Sequence, residues 1–95
     1  MVMKFVWDRN KAAANEKWHG VSFAGAREAF YDTHAVVEPD EEHSWDEQRY
    51  RLIGASSRRL LFVVYIEPDE QTIWLISASE VEPYERRRYY EEQEW

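Results

Sequence analysis

Three groups of residues carry the chemistry open to this chain. Lys11, Asn15 and His19 recur at i, i+4 and i+8, which would align a cation, an amide and an imidazole along one edge of a helix. Glu47, Arg49 and Arg51 alternate, and period-two spacing puts them on one face of a strand. A carboxylate beside guanidinium groups suits a general base with phosphate-holding partners. The third group lies in "TIWLISASEVEPYERRRYY", where an apolar run ends at Ser77 and Ser79 and is soon followed by Arg86, Arg87 and Arg88. Small polar residues at a strand end leave room for a ligand, and cations in an acidic chain need a reason.

Each group also has a plainer structural account. Lys11 and Asn15 would face solvent while His19 ends its helix beside Gly20, with Trp7, Lys11, Ala14 and Trp18 forming a neighbouring stripe against the sheet. Glu47, Arg49 and Arg51 would form an exposed ion-pair ladder, each pair contributing under about 1 kcal/mol. The arginine segment would be a salt-bridged surface helix, with Glu82 near Arg86, Glu85 near Arg88, and Tyr84 or Tyr89 packed inward. Three adjacent arginines cannot share one direction, so one or two at most serve a site. His19, His34 and His43 lack the paired spacing of metal-ligand motifs, and no Gly-x-Ser-x-Gly or cysteine nucleophile is present. The expectation is a site without metal or cofactor.

The elements that must position these groups follow from the remaining residues. Met3–Trp7 reads as a short strand, and Asp8 as the N-cap of an alanine-rich helix that stops at Gly20 in a left-handed conformation. Ser22 opens a second helix, in which Phe23, Ala26 and Phe30 recur at helical spacing. "THAVVE", "RYRLIGAS", "LLFVVYIE" and "QTIWLISAS" read as strands, the last two joined as a hairpin through "EPDEQ". On the last strand Ile73, Leu75 and Ser77 would share one face and Trp74, Ile76 and Ala78 the other. Glu38–Gln48 reads as an exposed loop, and Pro83 as the first residue of a final helix. The order β-α-α-β-β-β-β-α makes an α+β domain with a mainly antiparallel sheet of four to five strands.

The totals bound the function. Ninety-five residues form one domain, taken as 1–95, whose modest core is filled by abundant aromatic residues, five of them tryptophan. The absence of cysteine and of any apolar run near the roughly 20 residues of a membrane span points to a soluble, cytoplasmic protein. A net charge of −7 opposes indiscriminate polyanion binding and suits a basic protein partner, while leaving room for a local phosphate site.

Taken together, these segments resemble the BrnT family of toxins from bacterial toxin–antitoxin pairs, over about Phe5 to Tyr89. Its first motif is matched by Trp7, Asp8, Lys11, Asn15, His19, Gly20, Val21, Phe23 and Ala26. Its second is matched by Glu47, Arg49, Ile53, Gly54 and Ser56, and its third in part by Ile76, Ser77, Ala78, Glu85, Arg86 and Tyr89. The resemblance implies a RelE-like ribonuclease fold with two N-terminal helices and a C-terminal helix. It also implies a metal-independent endoribonuclease that arrests translation and growth, acting on free or ribosome-bound RNA. The implied partner is a BrnA-type antitoxin with a ribbon-helix-helix domain, through which alone the toxin would reach DNA. On that reading Lys11, Arg49 and Arg86 are the cations, Glu47 or His19 transfers the proton, and Arg51, Ser77, Arg87 and Tyr89 hold RNA.

Three positions depart from the family pattern. Trp74 and Ser79 stand where arginines flank the Ile-Ser-Ala core, and Trp18 stands where a lysine precedes the histidine. Two guanidiniums missing from a phosphate site remove charge-assisted bonds of roughly 1.5–3 kcal/mol each. The alternative expectation is therefore a weakened or inactive module that binds only the antitoxin and takes part in autoregulation.

Overall fold

A computed structural model describes residues 3–43, 46–57 and 59–93. The chain forms β1 (Lys4–Val6), α1 (Arg9–His19), α2 (Phe23–Ala26) with a 3-10 turn over Arg27–Tyr31, and β2 (Val36–Asp40). A short 3-10 turn over Glu41–His43 leads to β3 (Arg49–Ser56), β4 (Arg59–Asp69), β5 (Thr72–Glu80) and α3 (Pro83–Glu91). The expected α+β class and element order hold. The sheet is mixed, in the order β1-β5-β4-β3-β2, because β1 joins β5 in parallel while every other neighbouring pair is antiparallel.

Local chemistry accounts for the boundaries. The Asp8 carboxylate accepts from the amides of Asn10 and Lys11 at 2.8 and 3.1 Å, capping α1. Gly20 ends α1 with φ of 69°, a left-handed conformation that disfavours side chains. Ser22 caps α2 through the Gly25 amide, and Pro83 opens α3 behind a Glu82–Glu85 capping box that buries Glu85. Two boundaries differ most from expectation: the second helix gives way to a 3-10 turn at Arg27, and β2 runs Val36–Asp40 rather than over "THAVVE". Glu38, Pro39 and Asp40 extend β2 rather than lying in a loop, because Glu38 and Asp40 pair across the ladder with Arg51 and Arg49.

The main core lies between the sheet and the N-terminal helices. Val21, Phe23, Ala26 and Ala29 pack on Leu52, Leu61, Val63, Tyr65, Ile73 and Leu75. Aromatic edges tie this layer together, with Phe30 between Phe5 at 5.2 Å and Tyr65 at 4.9 Å. Gly54 permits the close approach of β3 to the 3-10 turn, for a Cβ there would sit 2.6 Å from the Ala29 carbonyl oxygen. On the opposite face α3 covers only one end of the sheet, where Tyr89 meets Ile53 and Leu60 beside Val36, Phe62 and Val81.

A β-bulge changes which residues that open face displays. Val64 pairs with Ser77 but the next residue, Tyr65, pairs with Leu75, so Ile76 is an extra residue in β5. The alternation expected for β5 breaks there. Ala78 joins Ile73 and Leu75 in the buried core, whereas Ser77 and Ser79 stand opposite Val64 and Phe62, on the same face as Trp74.

Candidate functional site

Asn15 fixes the geometry between α1 and the bulge. It is 7% exposed, contrary to a solvent-facing position, and its side chain acts as a strand substitute. Its Nδ2 donates to the carbonyls of Val21 and Ala78 at 2.9 and 2.8 Å, and its Oδ1 accepts from the Ala78 amide at 3.1 Å. β1 pairs with β5 only as far as Trp74, so Asn15 satisfies backbone groups that β1 leaves unpaired. This grip turns Ala12 and Asn15 inward and rolls Lys11, Ala14 and Trp18 outward. Trp18, expected to pack on the sheet, is 76% exposed.

Two depressions flank Ile76. One, of about 270 Å³, is lined by Lys11, Ala14, Asn15, Trp18, His19 and Ile76. The other, of about 290 Å³, is lined by Asp40, Arg49, Arg51, Phe62, Val64, Ile76 and Ser77. Five of the expected site residues therefore meet around one bulged residue: Lys11 and His19 on one side, Arg49, Arg51 and Ser77 on the other. Asp40 is a functional candidate that the sequence did not reveal. It is buried, borders the second depression and lies opposite Arg49 in the ladder, but its place in an acidic stretch reads as loop.

The electrostatics of this face are already partly balanced. Glu38 accepts a hydrogen bond from Arg88 and pairs with Arg51 at 3.0 Å. The bond from Arg88 holds the Glu38 carboxyl below its ordinary range against the opposing effect of burial, with further help from the charge of Arg51. Arg51 also keeps a buried Nε with no hydrogen-bond partner, a donor that the protein leaves unused. Arg51 thus belongs to an ion-pair cluster, although its partner is Glu38 of β2 rather than the expected Glu47.

The remaining expected residues lie elsewhere. Glu47 is exposed in the bend before β3 and borders neither depression. Arg86 is exposed and lines a separate depression with Ala55, Ser57, Arg59, Leu60, Tyr89 and Tyr90. Ala55 is six residues along β3 from Arg49, about 20 Å of strand. Arg87 is exposed on α3. Tyr89, expected to hold RNA, is buried, and its hydroxyl donates to Asp32 at 2.6 Å. Asp32 also accepts from the amides of Ala55 and His34, so Tyr89 fastens α3 to β3 and to the turn before β2. A wider depression of about 670 Å³, between Thr33–Val37 and the end of α3, holds none of the expected site residues.

An open sheet face with clustered cations, half-roofed by a C-terminal helix and bordered by an N-terminal one, makes this a small α+β domain with one face left open to a ligand. Residues 7–85 match the sequence model described as "Ribonuclease toxin, BrnT, of type II toxin-antitoxin system". The chain belongs to the BrnT family. Its fold is similar to that of the Brucella abortus ribonuclease toxin BrnT in a 1.1 Å crystal structure. The TM-score is 0.67 at 24% identity, covering 85% of this chain and 99% of that one. Comparison with curated protein sequences gives no match.

Proposed function

We propose that this chain is an endoribonuclease toxin whose chemistry occurs at the Ile76 bulge. The observation that carries the reading is the shared wall: Ile76 borders both the Lys11–His19 depression and the Arg49–Arg51–Ser77 depression. RNA cleavage without a metal needs a group to take the 2′-hydroxyl proton, cations to stabilise charge on the phosphorane, and an acid for the departing 5′-oxygen. His19 supplies an imidazole that can carry a proton, Lys11 and Arg49 supply positive charge, and Ser77 supplies a neutral donor. Glu47 is the second proton-transfer candidate, reaching the site only from the bend before β3. Arg86 and Arg87 would act on RNA outside this centre, since Arg86 borders a different depression.

The proposed partner is a BrnA-type ribbon-helix-helix antitoxin in a cytoplasmic complex that represses its own operon. A net charge of −7 favours encounter with a basic, DNA-binding protein. A second reading, a catalytically silent module that only binds the antitoxin, is favoured by one observation. Trp74 and Ser79, which stand at arginine positions of the family pattern, share the open face with Ser77, so the missing charge is missing from the face that carries the site, although neither residue lines a depression at the bulge.

Induced expression in bacteria, followed by growth and RNA integrity, separates the two. The ribonuclease reading expects growth arrest and RNA fragmentation, abolished by Lys11→Ala or Arg49→Ala and largely retained by Arg86→Ala. Normal growth and intact RNA from folded protein that still co-purifies with its antitoxin would leave the silent module standing. Toxicity untouched by Lys11→Ala and Arg49→Ala would remove the proposed centre.

A further inference from the structure

We infer that Trp18 is a nucleobase-stacking residue, so that the substrate taken by the Ile76 site is single-stranded RNA with an unpaired base beside the Lys11–His19 depression. The inference rests on the ribonuclease reading and adds a specificity element to it. A 76% exposed tryptophan is a large apolar surface left in water, and no ring of another aromatic residue covers it among the described residues. Trp18 lines the same depression as Lys11 and His19, on the helical stripe Lys11, Ala14, Asn15, Trp18. Ala14 keeps the floor beside the indole low, and buried Asn15 cannot rise into it because its amide is bound to β5. Lys17 Nζ lies 5.8 Å from the indole centroid, where cation–π attraction restrains the ring.

The charge of the chain makes such a contact necessary. With a net charge of −7, counterion release gives little affinity for a polyanion beyond a few local cations. Stacking on an aromatic face supplies about 1–3 kcal/mol per base, is nearly blind to sequence and does not depend on salt. It also requires an unstacked base, which a duplex does not offer. A phosphate held at Arg49 and Arg51, with a neighbouring base on Trp18 across Ile76, would bring the intervening sugar to the bulge.

The test uses the purified full chain and a fluorescein-labelled 12-nucleotide RNA of mixed sequence, with the same RNA annealed to its complement. Binding is measured by anisotropy over a salt series for wild type, Trp18→Ala, Trp18→Phe and Lys11→Ala. Stacking predicts that Trp18→Ala weakens single-strand binding by about 5- to 150-fold with an unchanged salt slope. Trp18→Phe should stay within about threefold of wild type, since a phenyl face still stacks. Lys11→Ala should instead reduce the magnitude of the slope by about 0.7, the signature of one phosphate contact. The duplex should bind wild type more weakly than the single strand does, and Trp18→Ala should narrow that difference.

Equal binding by wild type and Trp18→Ala, with Lys11→Ala still impaired, would overturn the stacking role and spare the ribonuclease reading. No RNA binding by any form, including wild type, would overturn both. Equal affinity for duplex and single strand would overturn the proposed substrate class. Because Trp18 is exposed, the alanine variant should stay folded, and a thermal melt checks this.

Discussion

Replacing Asn15 by leucine tests the claim that this residue holds the site together rather than acting in it. Leucine nearly conserves volume but leaves the Ala78 amide, the Ala78 carbonyl and the Val21 carbonyl without their partner. A buried, unsatisfied backbone group costs about 1–3 kcal/mol, and a carbonyl tolerates the loss better than an amide. Allowing about 2 kcal/mol for the amide and about 1 for each carbonyl gives about 4 kcal/mol. Extra apolar burial by leucine returns about 1 kcal/mol, leaving a net loss of about 3. Domains of this size have about 5–14 kcal/mol in total. Urea unfolding followed by tryptophan fluorescence should show the midpoint falling by about 2 M, with the melting temperature lower by roughly 12–24 °C.

Asn15→Asp adds a sign that a packing effect would not produce. A carboxylate still accepts from the Ala78 amide but faces two carbonyl oxygens that it cannot bond. Its neutral form can donate to one of them, so the folded state raises the pKa of this aspartate. Stability is then fully present below the unfolded pKa near 4 and is lost as pH rises through the folded value. The aspartate variant should therefore be more stable at pH 4 than at pH 7 relative to wild type. A leucine variant that loses less than about 1 kcal/mol, or an aspartate variant with no such pH dependence, would refute the strand-substitute role.

Two further perturbations address the scaffold around the site. Gly54→Ala forces a Cβ to 2.6 Å from a backbone oxygen, and calorimetry should show about 1–3 kcal/mol of destabilisation. Tyr89→Phe removes the bond to Asp32, a loss of about 1.5–3 kcal/mol at neutral pH in urea melts. Burial first, then the bond to Asp32, pushes the Tyr89 phenol up to about 12. Its contribution should therefore be complete below pH 10 and vanish as pH rises through 12, and the phenylalanine variant should lack this alkaline loss. Burial pushes the Asp32 carboxyl up, but bonds from Tyr89 and from the Ala55 and His34 amides outweigh it and leave the pKa lowered. That contribution is present above about pH 4 and fades as pH falls through the folded value, so wild type should lose stability in acid and the variant should lose less.

Residues that act on their own neighbours were legible in the sequence. Asp8, Gly20, Ser22 and Pro83 mark helix ends because a cap or a left-handed residue works within a few positions. β3 was legible to the residue because its composition and both boundaries are local. The features that escaped depend on distant partners. The Ile76 bulge follows from pairing with β4, and it reverses the faces of Ser77 and Ala78. Asn15 is polar on a polar helix, and only the unpaired edge of β5, 63 residues away, draws it inward. Burying Asn15 turned out Trp18, whose aromatic character had suggested a core position. Glu38 looked like part of an acidic loop until β3 supplied Arg51 and α3 supplied Arg88.

The family motifs divide along the same line. Asn15, Gly20, Gly54, Glu85 and Tyr89 act through backbone bonds, a left-handed turn, a close approach, a cap and a buried cross-link. Ser56 joins them, its hydroxyl lying 2.8 Å from the Gly25 carbonyl and 2.9 Å from the Glu28 carboxylate. Lys11, His19, Arg49, Ile76 and Ser77 are motif residues that border the depressions at the bulge, and Asn15 borders one of them while also bonding the backbone. The fold needs the first set whether or not RNA is cut, so matching the pattern speaks more strongly for the scaffold than for the chemistry. The departures at Trp18, Trp74 and Ser79 fall in the other category, with Trp18 in a depression and Trp74 and Ser79 on the open face. On the proposed ribonuclease reading, a chain with aromatic and small residues where cations are expected would hold RNA differently. Its affinity should then depend less on salt and more on an exposed indole, and this is the difference that Trp18→Ala and Lys11→Ala measure.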